Sequence, residues 1–506
     1  QVRSDYYNSS DQYNLQKPTV GGQTVATETD LSLLFFERVT QLAGSDSYVA
    51  QIMPGNFFLG ATAKDLRKYL IDKTSVEHFV QFENNGIFQG IHGQYKFAIC
   101  TFKNTGSTDN VEGGFAAGST SILRNFDQNS IDIPAEVLLE YSPESRTFPF
   151  FRSQELIDSL SKFVDHPPIG EKVGDDWFVS LYMKELDRAN DSNLLVEQSE
   201  DGDYPIYEGK NMHQFAYDDT SVFDIDPISL WGVDEDDPDR SAKHRVRMKN
   251  FRSRDPDASL KKAIYNKFDG SGSQKSFVND LLEEHDRPEL SKKDVLLDCT
   301  KYRIAIRKIT NSTNERTLIA GVIPKDTVTV HSIATVRPHV VEPTEGDLRN
   351  YPMHSAYEEV FTDEELFVVL GLLNSIPIDY LMRTKIDTNI VQYKLNETQL
   401  PRLTAGDNWF NWISRRAAKL NCYGDEFAEM RERLGDIDPV TDAQKRRELQ
   451  AEIDAAAFHV YGLNKEETEF ILNDFYQVDN PKLMDDTYLD LVFEKYSELD
   501  EEGPYP

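Results

Sequence analysis

The chain has 506 residues, 39% of them hydrophobic and 28% charged, and its 87 acidic against 54 basic side chains leave a formal charge of -33. That length holds two to four domains with sizeable cores, and no apolar run approaches the roughly 20 residues of a membrane helix. Cys100, Cys299 and Cys422 are too widely spaced for a disulfide framework or a zinc site, which points to a reducing cytoplasm. The polar start at Gln1 carries no visible signal peptide, and the missing initiator Met is expected of a segment or a processed product. The acidity is spread along the chain, a lever that halophiles use for solubility. In a salt-rich cytoplasm it argues only weakly against a nucleic-acid partner, because the Debye length there shrinks to roughly 3 Å at 1 M.

Residues 1–29 are polar and read as a loop. From Asp30 a helix is predicted, with Leu33, Leu34, Val39 and Leu42 inward. A buried strand Tyr48–Met53 ends in Pro54-Gly55-Asn56-Phe57-Phe58, and a second helix Ala61–Ile71 turns Leu66, Tyr69 and Leu70 to the core. A strand Val76–Phe82, a loop with Gly86-Ile87-Phe88 and a strand Tyr95–Phe102 follow, which is an α/β order. Asn56 closes a strand at the edge where such sheets place ligands, or serves as a turn or cap residue. The Gly/Ser/Thr/Asn-rich stretch Gly106–Ser121 reads as a linker, and beyond it the composition is mixed α+β.

These elements carry a family resemblance. Asp30-Leu31 through Glu37-Arg38, Pro54-Gly55-Asn56-Phe57-Phe58, the helix with Leu66-Arg67-Lys68-Tyr69-Leu70, the Gly86-Ile87-Phe88 loop and Tyr95–Phe102 resemble the second half of an adenine-specific DNA methyltransferase domain. The likeness is to large Type IIG restriction–modification enzymes and BREX-type phage-defence methylases. It resumes at Ile133–Glu136, Ser142–Arg152, Asp187–Asp191, Tyr204–Phe215, Arg303–Pro324, Leu370–Pro401 and from Tyr461 onward. The resemblance implies the C-terminal part of a Rossmann-like methyltransferase domain (1–105), a mixed α+β target-recognition domain (106–405) and a helical C-terminal domain (406–506). It also implies S-adenosylmethionine as cofactor and double-stranded DNA as partner.

Two motifs of that family, a glycine-bearing cofactor loop and Asn-Pro-Pro-Tyr, should precede Asp30 and do not. His166-Pro167-Pro168-Ile169 lacks the Asn and the aromatic residue. Asp269-Gly270-Ser271-Gly272 follows Tyr265–Phe268 rather than a buried strand, so a Gly/Ser loop is expected. An adenine amine is a poor nucleophile, and its transferase must flip the base, orient the lone pair and stack the ring. Without the segment that does this, the chain alone is expected to be inactive. Its cofactor would be held through a missing N-terminal part, either truncated from this chain or carried by a separate methyltransferase chain. The alternatives are a non-catalytic DNA-binding specificity subunit and an inactive remnant.

Candidate DNA contacts come from three places. Tyr204–Phe215 packs Tyr207, Lys210, His213 and Gln214 closely enough to stack on bases or reach phosphates, or else forms a loop pinned by core aromatics. After the acidic run Asp234–Asp239 come Arg240, Lys243, Arg245, Arg247, Lys249, Arg252, Arg254, Lys261 and Lys262, a basic insertion suited to phosphate contact or to a solvated surface. The stretch Lys301–Lys325 begins as an alternating strand, Tyr302, Ile304 and Ile306 on one face, Arg303, Ala305 and Arg307 on the other. Arg303, Arg307 and Arg316 are expected to face DNA, unless the strand is a sheet edge protected by charge.

An amphipathic helix Glu364–Leu373 leads to Asn374-Ser375 and to a unit where Arg383, Lys385 and Lys394 are phosphate candidates. Asn389 and Gln392 there are amides suited to adenine edges. From Trp409 the chain is helical, with Thr441-x-x-Gln444 and Asn464 as predicted caps and Leu449, Ile453, Val460, Phe470, Ile471 and Phe475 as predicted core. No nuclease constellation is evident. The target sequence and the oligomeric state are not written in these patterns.

Overall fold

In a computed structural model the described residues are 13–20, 23–24, 31–93, 95–150, 152–192, 195–197, 204–217, 244–246, 258–291, 293–311, 314–386, 389–474 and 481–504. Most of the basic insertion, the acidic run before it and Phe475 lie outside them. The chain forms two compact α/β units: 1–171 with 380–401 and 461–473, and 172–379 with 402–460 and 474–506.

The first unit opens with a short hairpin, β1 (Thr19–Val20) and β2 (Gln23–Thr24), and then builds a five-stranded sheet. Its strands are β3 (Tyr48–Pro54), β4 (Ser75–Glu83), β5 (Lys96–Lys103), β6 (Asn110–Ala117) and β7 (Ile131–Pro134), in the order β3-β5-β4-β6-β7. β5 runs antiparallel to both neighbours, so β3 and β4 are parallel with a reversed strand between them. The predicted linker is instead sheet: β6 pairs in parallel with β4 over six residue pairs, because Val111 and its neighbours fill the core.

Aromatic packing holds this sheet to its helices. Phe36 lies 4.9 Å from Phe57 and 5.6 Å from Phe102, and Phe58, Phe79, Phe148 and Phe150 meet edge to face at 5.5–6.3 Å. Such contacts add about 0.5–1.5 kcal/mol each beyond burial. The helix Leu31–Leu42 turns Leu33, Phe36, Glu37 and Thr40 inward, whereas the predicted core residue Leu42 is 70% exposed. Glu37 points inward because it accepts from the Asn14 and Leu15 amides and from Gln16 Nε2. Asn56 is exposed in the short helix Gly55–Leu59, where its carbonyl accepts from Gly60. The helix Gln154–Val164 starts where Ser153 accepts from the Leu156 amide, and it buries Leu156, Ile157, Leu160 and Phe163 at helical spacing.

The second unit holds two four-stranded sheets and a two-stranded ribbon. The strands are β8 (Leu181–Tyr182), β9 (Leu195–Glu197), β10 (Tyr204–Tyr207), β11 (His244–Val246), β12 (Arg303–Arg307), β13 (Ala320–Ile323), β14 (Val328–Thr329), β15 (Ile333–Val336), β16 (His339–Val341) and β17 (Tyr357–Glu359). One sheet has the order β13-β12-β15-β8, the other β14-β10-β11-β9, and β16 pairs with β17. β12 is therefore an interior strand, and neither predicted reading of it, a basic outer face or a protected edge, matches. Arg303 through Ile306 are all buried and Arg307 is half-buried.

The edge of that sheet, β13, is closed by two side-chain amides. Asn374 accepts from the Ala320 amide and donates to its carbonyl, both at 2.9 Å. Asn421 does the same to Val322, again at 2.9 Å each way. Each Asn ends a helix, Asp363–Leu373 and Asn408–Asn421, so two helix ends stand in for a fifth strand. Those helices pack closely at Gly371, where a Cβ would come 2.5 Å from Ile413 Cγ2. Thr362 and Glu365 form a capping box at the first, whose Leu366–Leu373 are buried all round rather than on one stripe. Further on, Asp442 rather than Thr441 accepts the Lys445 amide before the helix Ala443–Val460, while in the first unit Asn464 caps as predicted, accepting from Glu467 at 2.9 Å.

Candidate nucleic-acid interface

The sequence-predicted contact residues divide sharply by burial. Arg303 is 1% exposed; its guanidinium meets both oxygens of Glu185 at 2.8 Å and the Thr327 carbonyl at 2.9 Å. Glu185 also accepts from the Thr329 amide at 2.6 Å. Arg316 is 4% exposed and bonds Asp454 at 2.8 Å, and Asp454 in turn accepts from Tyr488 Oη at 2.6 Å and the Ile376 amide at 2.7 Å. Both arginines are thus internal counterions, not DNA contacts. An interior strand and a packed loop leave them no path to solvent, and each satisfies a buried carboxylate.

The Tyr204–Phe215 segment follows its bland alternative. Tyr207, His213, Gln214 and Phe215 are buried, His213 Nδ1 accepts the Gln214 amide at 2.8 Å, and Gln214 Nε2 donates to the Asn374 carbonyl at 3.1 Å. The loop lies so close to β13 that a Cβ on Gly321 would stand 3.2 Å from the Ala216 carbonyl oxygen. Tyr207 and His213 therefore pin the loop rather than stack on a base. Lys210 alone of that group stays partly exposed, on the turn of helix Gly209–Asn211.

The third group belongs to the first unit. Lys385 is fully buried, donating to the Tyr141 carbonyl at 2.7 Å and the Glu397 carbonyl at 3.2 Å, with the Tyr141 ring 4.6 Å away. Burial, partly offset by Glu397, brings its pKa down to about 8. Glu397 is occupied by Ser145 Oγ at 2.5 Å and the Ser145 amide at 2.8 Å. Arg67, which sequence reasoning did not single out, is buried beside this network, donating to the carbonyl of Ser145 at 2.7 Å and to those of Phe57 and Arg146, and burial lowers its pKa to about 9. Lys394 is buried as well. Neither lysine is a surface phosphate contact: Lys385 sits behind backbone carbonyls that replace water, and Lys394 is only 7% exposed. Arg383 is half-buried, and Asn389 and Gln392 are exposed on the same unit.

What the second unit does assemble lies at the end of β12. The chain leaves the sheet at Arg307-Lys308, and the Lys308 amide donates to the Ser332 carbonyl at 2.9 Å. Ser332 Oγ accepts from the Gly209 amide at 3.0 Å, which ties the Lys210 helix to the same turn. A Cβ on Gly209 would be 3.8 Å from Arg307 Nε, so the glycine leaves the guanidinium its room. Lys308 Nζ donates to the Met183 carbonyl at 3.0 Å, beside Lys184. Burial lowers the Arg307 pKa, and burial together with Lys184 lowers that of Lys308. The nearby carboxylates are engaged: Asp187 with Lys184 at 2.8 Å and Glu208 with Arg188 at 2.9 Å.

A cofactor site is not found among the described residues. Asp269–Gly272 joins the helices Ala258–Lys267 and Gln274–Glu284, with Asp269 and Gly272 at positive φ, so it is a helix–helix turn with no strand feeding it. His166-Pro167-Pro168 lines the 396–400 segment instead: the Leu400 amide donates to the Pro167 carbonyl at 3.0 Å, and the His166 ring meets Tyr461 at 5.2 Å. Neither motif offers the strand-to-helix phosphate or carboxylate cradle that S-adenosylmethionine needs.

Residues 5–88 match the Eco57I restriction-modification methylase family. A search of curated proteins returned no match. Among solved structures, the Type IIL restriction-modification enzyme MmeI in complex with DNA is 11% identical over 94% of this chain and 53% of its own, with a TM-score of 0.41. The Type IIG restriction endonuclease BpuSI is 13% identical over 94% of this chain and 51% of its own, with a TM-score of 0.27. A nuclease-deletion mutant of the Type ISP restriction-modification enzyme LlaGI, with a DNA substrate mimic, is 11% identical over 77% of this chain and 36% of its own, with a TM-score of 0.32. The chain thus spans about half the length of the first two.

Proposed function

We propose that this chain is part of a site-specific DNA adenine methyltransferase of a restriction–modification or phage-defence system. One observation carries the reading: the residues matching the methylase family, 5–88, supply β3 and β4 and the helices between them in the first unit's sheet. The reversed β5 inserted between those two parallel strands is compatible with a methyltransferase sheet. In this reading the second unit contacts duplex DNA, and S-adenosylmethionine is bound by groups that the described residues do not supply.

A second feature supports dependence on a further methyltransferase segment or chain. Among the described residues no strand pairs with the free side of β3, and Tyr48 and Ile52 on it are exposed, as are Leu31, Phe35 and Leu42 on the preceding helix. An open strand edge flanked by apolar side chains is a pairing surface. The test is transfer of labelled methyl groups to the adenine amine of duplex DNA at high salt. It is run with this chain alone and with a polypeptide carrying the glycine-bearing and Asn-Pro-Pro-Tyr motifs. Transfer only in the mixture is expected. Transfer by neither, with no binding of duplex DNA by this chain, sinks the reading.

A further inference from the structure

We infer that Arg307, Lys308 and Lys210 form a seat for a backbone phosphate of duplex DNA; this rests on the DNA-binding reading above. The geometry starts from charge. Five cations, Lys184, Arg188, Lys210, Arg307 and Lys308, are carried by segments that come together near the Ser332 turn, and two of them are neutralised locally, Lys184 by Asp187 and Arg188 by Glu208. Among the described residues Arg307, Lys308 and Lys210 have no carboxylate partner, in a protein whose formal charge is -33.

Placement sharpens the point. Arg307 is half-buried, so its guanidinium has given up much of its hydration with no acidic group in return. A desolvated, unpaired cation is unfavourable until an anion arrives, and it gains more from one than a freely hydrated lysine does. The flat guanidinium suits two phosphate oxygens at once, while the flanking lysines add point charge. Backbone ties fix the seat in advance: Lys308 to Ser332, and Gly209 to the Ser332 hydroxyl. The other two arginines of this stretch, Arg303 in β12 and Arg316 in the loop before β13, are already paired, which leaves the unmet charge near β12 at this corner.

A phosphate contact carries no base information, so its loss weakens binding equally on all sequences. Each lost contact also lowers the slope of log K against log salt by about 0.9. The experiment measures binding of the full chain to two duplexes of different sequence by fluorescence anisotropy, from 0.1 to 0.5 M salt. For Arg307→Gln combined with Lys308→Gln, the expected result is a slope smaller by about 2, with equal affinity loss on both duplexes. Arg307→Lys keeps the slope. Lys210→Gln, at a partly exposed side chain with no ion-pair partner among the described residues, lowers the slope by about 1 even if the double variant fails to fold. Wild-type slopes in both variants, or a loss confined to one duplex, overturn the phosphate seat while leaving DNA binding standing. Absence of wild-type DNA binding overturns the reading beneath it.

Discussion

At the scale of single residues, the structure separates cations that look alike in the sequence. Arg303 and Arg316 each close a buried ion pair, and removing one partner strands the other carboxylate. Arg303→Ala should therefore destabilise the second unit by about 3–5 kcal/mol, and Arg316→Ala by a similar amount. Urea unfolding of the full chain measures this. If either alanine variant unfolds within about 1 kcal/mol of wild type, the ion pair is not the buried contact described. Replacing Arg303 and Glu185 together by apolar residues of similar size should be much milder.

Lys385 makes a different prediction. Its folded pKa, about 8, lies below the ordinary lysine value of 10.5, so burial penalises the charged form. Below pH 8 the ammonium is buried in the folded chain at the full penalty. Between pH 8 and 10.5 the folded state sheds its proton before the unfolded one, and stability rises with pH. The rise is on the order of 3 kcal/mol, and Lys385→Met should remove it. A pH profile of urea midpoints that is the same in the variant and the wild type would show that Lys385 is not desolvated.

At the scale of elements, helix ends act as parts of a sheet. Asn374 and Asn421 each satisfy one residue of β13 with a two-way amide pair. Asn421→Leu leaves the Val322 amide and carbonyl buried without partners, at about 1–3 kcal/mol for each group. Hydrogen exchange at Val322 should quicken more than at β15 residues; uniform protection would contradict the edge-closing role. Gly371→Ala places a methyl against Ile413 and should cost about 1–3 kcal/mol, with Ile413→Ala in the same chain recovering part of it.

Element periodicity was legible in the sequence for β3, β4, β5, the helices near 31–42, 64–73 and 363–373 and the helical tail, because alternation and caps are local. The faces of those elements were less so. Leu42, expected inward, is exposed, and Glu37 is buried in the same helix because it found backbone amides 22 and 23 residues away in sequence, which no local pattern encodes. Gly106–Ser121 reads as a linker by composition, yet Gly113 and Gly114 sit in a strand whose pairing partner fixes it.

At the scale of the molecule, the formal charge of -33 sets the response to salt. Self-repulsion is screened over about 10 Å at 0.1 M and about 3 Å at 1 M, so the thermal midpoint should climb across that range. DNA binding should weaken across it, because released counterions oppose association. Opposite signs in the two titrations are the expected outcome, and a midpoint that falls with salt would place the acidic groups in pairs rather than in mutual repulsion.

The sequence by itself determined the α/β class, the order of elements from Leu31 to Lys103, the diffuse acidity and the family likeness, since each is carried by local pattern or by total composition. It also placed Arg307 and Lys210 among the contact candidates. Only the tertiary structure decided which cations remain available. Alternation along β12 puts Arg303 and Arg307 on one face, but strands on both sides of β12 bury that face near Glu185 and leave it half-open at the Ser332 turn. Burial and pairing depend on neighbours brought from 118 residues away, as with Arg303 and Glu185. That is why charge alone could not tell a counterion from a contact.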